Sequence, residues 1–209
     1  MNQSLEKIKV NNGKILPLMD TFTTIQGEGF HSGKSAHFLR IGGCDIGCHW
    51  CDIKESWNSD LYPLVKIGNI TETINPLTDL IIISGGEPLI WDMMPLTDAL
   101  KKMNKKVHLE TSGAYPLSGY WDWICLSPKK NKPPIPEILE KAGANEADII
   151  IAVSEKDESN ILCCQLANFI FNIPTKVARI KESGFLNPKY YDNLFVKNKI
   201  DLDAIISPE

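Results

Sequence analysis

One segment constrains the fold more than any other part of this chain: residues 79–84, which read DLIIIS. An unbroken apolar run of strand length has no polar side to turn towards solvent, so such a strand must be covered on both faces. Parallel sheets flanked by helices provide that environment. The run ends at Gly85-Gly86-Glu87-Pro88, a sequence typical of a turn. The segment therefore predicts an α/β fold with a buried parallel strand.

Strand-like and helix-like segments alternate through the first two thirds of the chain. Besides residues 79–84, strands are predicted at residues 36–41, 107–110 and 123–126, and a helix at residues 93–103. Each predicted strand is followed by small, polar or glycine-rich residues. Because ligands of parallel α/β folds bind at the carboxyl ends of strands, we expect these following segments to meet in one pocket.

After a lysine- and proline-rich link at residues 129–136, strand-like and helix-like segments continue to alternate. The pattern predicts a short helix at residues 138–142, a buried strand at 147–153, a helix with an apolar stripe at 158–171, a strand at 175–180, a helix at 189–197 and an edge strand at 205–209. The last third is therefore also expected to be α/β.

The composition favours a cytoplasmic small-molecule enzyme. The chain has 209 residues, 43% of them hydrophobic, and a net charge of −4, so it has no general attraction for nucleic acid. We see no signal-peptide pattern and no apolar run long enough to span a membrane. In the reducing cytoplasm, six cysteines are expected to be metal ligands or buried thiols rather than disulfides. Cys125, Cys163 and Cys164 lie in apolar segments and are predicted to be core residues.

A cysteine cluster follows the first of these predicted strands. Cys44, Cys48 and Cys51 form a C-x3-C-x2-C pattern. Three thiolates on one short loop can hold three irons of a cubane cluster and leave the fourth iron open, whereas a structural zinc site needs four protein ligands. No fourth ligand stands nearby in the sequence, so an iron–sulfur cluster is favoured over zinc or an isolated cysteine-rich turn. The histidines show no metal-ligand spacing and are predicted to be structural or surface residues: His31, His37, His49 and His108.

The cysteine pattern resembles that of the radical S-adenosylmethionine superfamily, in which an aromatic residue, here Trp50, precedes the last cysteine. The resemblance implies a [4Fe-4S] cluster whose open iron chelates S-adenosylmethionine and whose electron splits it to a 5′-deoxyadenosyl radical. That chemistry needs a low-potential cluster in a dry pocket. Gly85-Gly86-Glu87-Pro88 resembles the superfamily's site for the methionine amino group, where glycine lets the backbone approach a ligand. The implied fold is a partial (β/α) radical-SAM barrel with a parallel sheet, continued by Rossmann-like strand–helix units at the C-terminus.

Five motifs in order narrow the resemblance to the 7-carboxy-7-deazaguanine synthase family. They lie at residues 24–29, at Arg40 with residues 44–52, at residues 84–88, at residues 110–113 and at residues 127–129. Members of this family are lyases that convert 6-carboxy-5,6,7,8-tetrahydropterin to 7-carboxy-7-deazaguanine with loss of ammonia, on the route to queuosine. The radical takes hydrogen from C6 of the pterin, the ring contracts, and the cofactor is regenerated.

Carried to the matching positions, the resemblance implies two sets of contacts and no catalytic acid or base. Arg40 would hold the pterin carboxylate in a bidentate ion pair, a geometry that guanidinium supplies. The other substrate contacts would be Ile25, Gln26, Gly27, Glu28 and Ser84. The contacts with S-adenosylmethionine would be Trp50, Cys51, Asp52, Gly86, Ser127, Pro128 and Lys129. Taken singly, each position also has a structural interpretation, such as a solvated turn or a surface cation.

One position departs from the family pattern. The family's usual Thr or Ser hydroxyl two residues after the last cysteine, a ligand of Mg2+, is Ile53 here. An aliphatic side chain cannot coordinate an oxygen-preferring cation. The magnesium ion implied by the resemblance would therefore be held by substrate and water, or would be dispensable.

From about residue 143 the sequence resembles a different family. Residues 142–148, 157–160, 178–180 and 205–209 are similar to the second half of the nucleotide-binding domain in Trk-type potassium-uptake regulators. The first half of that domain, with its G-x-G-x-x-G turn, is missing from the chain, so NAD binding is not implied. We expect two domains: a synthase-like core at residues 1–142 and a Rossmann-like half domain at residues 143–209.

Two interpretations of the join stay open. Either the chain is a chimera, natural or arising from the assembly of sequence data, or the C-terminal strand–helix units replace the synthase's last strands in one continuous sheet. We hypothesise that the cluster site is intact and that substrate turnover is impaired. Alternative functions are a radical enzyme with another substrate and a nucleotide-binding module of a potassium transporter. The expected partners are the small pterin, a reducing flavodoxin or ferredoxin, and a second copy in a homodimer.

Overall fold

The computed structural model of the chain describes residues 12–27, 30–129, 132–153, 156–187 and 200–207. The chain divides into two compact units, the first unit at Met1–Ala142 and the second unit at Gly143–Glu209. No helix in the described ranges is both long and apolar enough to cross a membrane.

The first unit is built on a six-stranded sheet. Its strands are β1 (Ile15–Ile25), β2 (Ser35–Ile41), β3 (Leu64–Lys66), β4 (Leu80–Gly85), β5 (Lys106–Thr111) and β6 (Trp123–Leu126), in the order β3-β1-β2-β4-β5-β6. Strands β2, β4, β5 and β6 are parallel, while β1 is antiparallel to both β2 and β3. Helices α1 (Ile67–Glu72), α2 (Met94–Lys102) and α3 (Pro136–Lys141) and three short 3-10 turns, at Lys54–Trp57, Ser59–Leu61 and Pro88–Ile90, connect the strands.

Strand β4 confirms the fold predicted from its sequence. Ile81, Ile82 and Ile83 are all fully buried, so this strand is covered on both faces. On one face, Ile81 and Ile83 belong to a core cluster that includes Leu100 of α2, and on the other, Ile82 packs with Phe38. Full burial of each such side chain stabilises the fold by about 1.5–3 kcal/mol.

Two strands of the first unit were not predicted. Strand β1 contains Pro17 and Asp20, and its exposure changes irregularly along the strand rather than every second residue, so its sequence lacks the alternation of a strand. Strand β3 is only three residues long and pairs at Ile15–Pro17 of β1. Both are placed by backbone pairing with their neighbours, a tertiary effect that the local sequence does not encode.

The second unit is a separate three-stranded parallel sheet. Strands β7 (Ile149–Ala152), β8 (Thr175–Arg179) and β9 (Ala204–Ile206) lie in the order β7-β8-β9. Helix α4 (Asp157–Phe171) joins β7 to β8, and the short α5 (Ser183–Leu186) follows β8. The described strands thus form two sheets and not the continuous sheet that one interpretation of the join required.

Several predictions for the second unit need correction. The strand expected to be buried, β7, lies at one edge of the described sheet, and Ile149 and Ile151 are 49% and 56% exposed. Cys163 was predicted in the core and is exposed, because it lies on the outer side of α4; Cys164 is buried and Cys125 is half-buried. The predicted helix at residues 189–197 lies outside the described residues, as do the last two positions of the edge strand predicted at 205–209.

Candidate active site

The cysteine loop, residues 44–51, begins from a tightly packed base just after β2. Gly43 N donates a hydrogen bond to Ser56 O at 2.7 Å. A side chain on Gly42 would place its Cβ 2.5 Å from the Tyr62 ring, and Gly43 adopts a φ of 103°, which favours glycine. Trp91 Nε1 donates to Gly42 O at 2.8 Å. These contacts fix the direction in which the chain leaves the sheet.

The GGEP turn, Gly85-Gly86-Glu87-Pro88, packs directly against that base. Gly86 N donates to Ile41 O and Glu87 N donates to Gly43 O, both at 2.9 Å. A Cβ on Gly86 would lie 2.3 Å from Gly43 O and 3.1 Å from the Cβ of Cys44. Only glycine at position 86 lets the backbones meet this closely, so two motifs far apart in the sequence become one structure.

The side chain of Glu87 locks the turn to the end of β5. It is 1% exposed, and its two oxygens accept four hydrogen bonds. Oε1 accepts from Leu89 N at 3.1 Å and from the Thr111 hydroxyl at 2.6 Å. Oε2 accepts from Ser112 N at 2.8 Å and from the Ser112 hydroxyl at 2.5 Å. A buried carboxylate with this many donors holds its loop in one position.

The three thiols of the cysteine loop are free. Cys48 is 8% exposed, while Cys44 and Cys51 are half-buried. Cys51 N donates to Cys48 O at 3.1 Å, which closes a turn between them. Burial raises the pKa of the Cys44 thiol; a backbone hydrogen bond from Ile46 opposes the rise, and the charge of Glu87 adds to it. Metal binding at Cys44 therefore displaces a proton.

The loop suits a cluster better than a single ion. Among the described residues, no three His, Cys, Asp or Glu side chains converge as ligands of one metal ion. In a cubane cluster each thiolate binds a different iron, so the three sulfurs need not converge. Trp57, whose carbonyl accepts from Cys44 N at 3.3 Å, has a buried indole N–H with no hydrogen-bond partner in the described part of the chain. A bound group carrying an acceptor would satisfy it. The donor set therefore fits a three-thiolate iron–sulfur cluster.

One face of the sheet is polar near the carboxyl ends of β2, β4 and β5. Arg40 of β2 is in register with Ser84 of β4, and Ile82 is in register with His108 of β5. Because side chains alternate along a strand, Ser84 and Glu110, each two residues further on, lie on the same face. Arg40, Ser84 and Glu110 are therefore neighbours on one side of the sheet.

Gln26 also reaches this polar face. It is 8% exposed, and its Nε2 donates to Glu110 Oε1 at 3.0 Å. Its backbone is held by hydrogen bonds with Lys34 O and Gly33 N, both at 2.8 Å. The Arg40 guanidinium lies 5.2 Å from the centre of the Phe22 ring, a cation–π distance. Glu110 had no predicted role, although it lies at the end of a predicted strand and begins the motif at residues 110–113.

The other predicted substrate contacts are not gathered on this face. Ile25 is 64% exposed, and Gly27 is exposed with open space around the position of a Cβ. Glu28 lies outside the described residues. Of the predicted set, the structure therefore brings together Gln26, Arg40 and Ser84.

The predicted cofactor contacts fall into two groups. Gly86 and Cys51 belong to the packed turn and loop described above, whereas Trp50 is 53% exposed and stands edge-on to His49, and Asp52 is exposed. Ser127, Pro128 and Lys129 follow β6 directly. Ser127 N donates to Thr111 O at 2.9 Å, and Lys129 Nζ donates to the Ser127 hydroxyl. This segment therefore leaves the sheet at the same edge as the GGEP turn.

Ile53 offers no ligand at the position where the family pattern has a hydroxyl. Its side chain is half-buried, and its carbonyl accepts from Ser56 N at 3.1 Å and from the Ser56 hydroxyl at 2.7 Å. The nearby buried hydroxyl of Ser56 is thus already bonded to the backbone.

Two histidines are built into the packing. His37 is buried, and its ring nitrogens lie 2.8 and 2.9 Å from the hydroxyls of Thr21 and Thr23. His108 is also buried, with its ring centre 4.5 Å from that of His31. Burial lowers the pKa of His108 to about 4, and the charge of His31 acts in the same direction. Both are structural groups, and His108 is neutral near pH 7.

Two family profiles match the chain. The Radical SAM superfamily matches residues 39–146, and the TrkA-N domain matches residues 134–208. The first match takes in the cysteine loop, the GGEP turn and strands β4 to β6. The second takes in the whole described sheet of the second unit and overlaps the first match by a short segment.

Curated relatives share much of the sequence of this chain. The chain is 57% identical over 145 residues to a 7-carboxy-7-deazaguanine synthase of Flavobacterium psychrophilum. This alignment covers 69% of this chain and 68% of that protein. A synthase of the same name from Bacteroides thetaiotaomicron is 34% identical over 187 residues, covering 88% of this chain and 96% of the relative. An alignment of that length necessarily runs past residue 142 into the second unit.

A solved structure shares the fold. The crystal structure of QueE from Escherichia coli matches with a TM-score of 0.65 and 22% identity, over 100% of this chain and 99% of that one. The sequence and profile matches establish the family: this chain is a member of the radical SAM superfamily and, within it, of the 7-carboxy-7-deazaguanine synthase family.

Proposed function

We propose that this chain converts 6-carboxy-5,6,7,8-tetrahydropterin to 7-carboxy-7-deazaguanine and ammonia, as the resemblance to the synthase family implies. One observation carries the proposal: Gly86 packs against Gly43 and Cys44, so the GGEP turn and the cysteine loop form one structure beside a polar sheet face. That arrangement supports a cluster site and a polar binding face at the same edge of the sheet.

The cluster would be held by Cys44, Cys48 and Cys51, with S-adenosylmethionine on its open iron. When bound, the cluster supplies the electron that cleaves the cofactor's sulfonium bond. Around it, the half-buried backbone of Gly85 and Gly86 would receive the methionine amino group, as the superfamily resemblance implies. Trp50, Asp52 and the Ser127-Pro128-Lys129 segment would complete the cofactor contacts.

Substrate binding would use the polar face of the sheet. Arg40 supplies a planar pair of donors for the pterin carboxylate, and its stacking on Phe22 limits the directions in which the guanidinium can point. Gln26 and Glu110, already hydrogen-bonded to each other, would meet polar groups of the ring, and Ser84 would add a hydroxyl contact. The family resemblance implies that Ile25, Gly27 and Glu28 would also line the pterin.

Magnesium would have no side-chain hydroxyl ligand at position 53. We expect addition of EDTA to reduced, reconstituted enzyme to change the rate by less than about threefold, because Ile53 cannot coordinate the ion. Ile53→Thr should make the rate depend on added Mg2+. An equal and strong Mg2+ requirement in both proteins would show that the ion is held by other groups.

The resemblance to the synthase family also implies an electron donor for the cluster and an oligomeric state. A low-potential flavodoxin or ferredoxin would reduce the cluster, and two copies of the chain would form a homodimer in the cytoplasm. Reduction of the reconstituted protein by purified, chemically reduced flavodoxin, followed by electron paramagnetic resonance, tests the first point. Sedimentation equilibrium tests the second, with a monomer mass as the contrary result.

Turnover is expected to be slower than cofactor cleavage. The second unit matches the TrkA-N profile, and we infer that it does not supply the substrate contacts expected from the synthase's last strands. An enzyme with an intact cluster site and an incomplete substrate site would release 5′-deoxyadenosine in excess over product. Product formed in large excess over released 5′-deoxyadenosine, as expected when the cofactor is regenerated in each turnover, would contradict this inference.

The deciding experiment is anaerobic reconstitution with iron and sulfide, followed by incubation with dithionite, S-adenosylmethionine and the pterin. We expect about three to four irons per chain, 5′-deoxyadenosine, and 7-carboxy-7-deazaguanine identified by its mass and ultraviolet spectrum. Cofactor cleavage without this product would favour a radical enzyme with another substrate. Binding of NAD or ATP by a protein that takes up no iron would favour the transporter-regulatory module.

A further inference from the structure

We propose that Asp45, Tyr115 and Lys132 form a strap that positions the cysteine loop against the cofactor-binding loops, and that Lys132 is its central positioning residue. This inference rests on the proposed function, because it assigns the strap to the cluster and cofactor site. It concerns three side chains that neither the motifs nor the family resemblance assigned a role.

The strap links three loops that are distant in the sequence. Asp45 follows the first cysteine, Tyr115 lies after β5, and Lys132 lies after β6. Lys132 Nζ donates to Asp45 Oδ2 at 2.9 Å, to Asp45 Oδ1 at 3.1 Å and to the Tyr115 hydroxyl at 2.5 Å. The Tyr115 hydroxyl in turn donates to Asp45 Oδ1. Every member of the triad thus contacts both of the others.

The geometry sets Lys132 apart from an ordinary surface ion pair. Its ammonium lies 4.0 Å from the centre of the Tyr115 ring, so it is held by a carboxylate, a hydroxyl and an aromatic face at once. Its side chain is 36% exposed, compared with 74% for Lys102, whose pair with Asp98 joins two residues of the same helix. A pair within one helix does not connect separate segments of the chain, whereas the strap connects three loops.

The strap reaches the predicted cofactor contacts through the backbone. Lys132 N donates to Lys129 O at 3.2 Å, and these two residues form a short bridge. Lys129 and Ser127 belong to the segment proposed to contact S-adenosylmethionine. Fixing Lys132 on Asp45 therefore fixes that segment relative to Cys44. The strap should act on cofactor binding more than on the pterin, which is proposed to bind the sheet face.

Hydrogen exchange in the iron-free protein tests the strap without any cofactor. The proteins to compare are the parent, Lys132→Met, Tyr115→Phe, Lys132→Arg and Lys102→Met. The last is a matched control at an exposed position of α2. We expect Lys132→Met to raise exchange in the peptide of residues 44–51 by about fivefold, with a smaller rise for Tyr115→Phe. Lys132→Arg and Lys102→Met should stay within about twofold of the parent. Unchanged exchange at residues 44–51 in Lys132→Met would overturn the proposal.

Reconstituted protein provides the second readout. In Lys132→Met the dissociation constant for S-adenosylmethionine should rise about fivefold, while iron content and the KM for the pterin at saturating cofactor stay as in the parent. Lys132→Arg should restore cofactor affinity. An equal weakening of pterin and cofactor binding, or loss of iron, would show a general structural role and overturn the assignment. A parent protein that takes up no iron would refute the proposed function instead, and the exchange experiment would still decide whether the strap exists.

Discussion

The two units of this chain differ in how they bury apolar side chains. In the first unit, large residues such as Leu39, Leu100 and Leu109 are fully buried in one continuous cluster. The fully buried residues of the second unit's described core are Cys164, Ala178 and Ile180, joined by Ala152. Small side chains bury little area, so the second unit gains less stability from its core. The first unit has the packing that a rigid active site requires.

The second unit also leaves large apolar side chains in solvent. Phe169 and Ile170 of α4 are 78% and 63% exposed, and Ile149 and Ile151 of β7 are about half exposed. Every motif residue proposed to bind cluster, cofactor or substrate, in contrast, lies in the first unit. We therefore expect the chemistry to take place in the first unit.

The largest expected effect comes from the cysteine loop. Cys48→Ser should lower iron content and reduce cofactor cleavage roughly a thousandfold or more, because the cluster loses one of its three protein ligands. Cys163→Ser, an exposed cysteine of the second unit, is the matched control and should keep the parent iron content and rate. Iron analysis and 5′-deoxyadenosine yield measure both. A comparable loss in Cys163→Ser would place a cluster ligand in the second unit.

Truncating a leucine should lower the free energy of unfolding more in the core of the first unit than on α4 of the second unit. Leu109→Ala should lower the free energy of unfolding by about 3 kcal/mol, because it leaves a cavity in the first unit's core. Leu162→Ala, at a 57% exposed position of α4, should change it by less than about 0.5 kcal/mol. Urea unfolding followed by circular dichroism measures the difference. Similar losses from the two substitutions would mean that α4 is covered in solution.

Arg40→Lys tests the polar face. We expect kcat/KM for the pterin to fall roughly thirtyfold, equivalent to about 2 kcal/mol, because ammonium cannot make the bidentate contact. The affinity for S-adenosylmethionine should not change. Lys102→Arg serves as the reverse control, because α2 packs on the opposite face of the sheet and the Lys102 side chain is 74% exposed. Parent-like kinetics in Arg40→Lys would remove Arg40 from the substrate site.

A smaller effect concerns pH. The pKa of His108 is about 4 in the folded protein and near 6.5 in an unfolded chain, so the unfolded state binds more protons between these values. Stability should therefore fall as the pH drops from about 6.5 towards 4, by on the order of 1 kcal/mol at pH 5 from this residue. His108→Gln should flatten that fall in iron-free protein, measured as the urea midpoint against pH. The same slope in both proteins would contradict burial of a neutral His108.

The sequence predicted the individual strands of the sheet better than the contacts between distant segments. The run at residues 79–84 predicted β4 correctly because its composition alone requires burial, and the cysteine spacing predicts a cluster loop. The contact between Gly86 and Gly43 depends on strand order, which no local pattern contains. Gln26 and Glu110, 84 positions apart, pair for the same reason. Ile149 and Ile151 have the composition of a buried strand and are exposed, because they lie on the face of β7 opposite Ile150 and Ala152, which belong to the second unit's described core.

The most direct test of the central claim uses pterin carrying deuterium at C6. Reconstituted, reduced protein is incubated with this substrate and S-adenosylmethionine, and the nucleoside products are analysed by mass spectrometry. If the first unit is a pterin-converting radical enzyme, deuterium should appear in 5′-deoxyadenosine or in recovered S-adenosylmethionine as 7-carboxy-7-deazaguanine forms. Formation of 5′-deoxyadenosine free of deuterium, with the pterin unchanged, would contradict the claim.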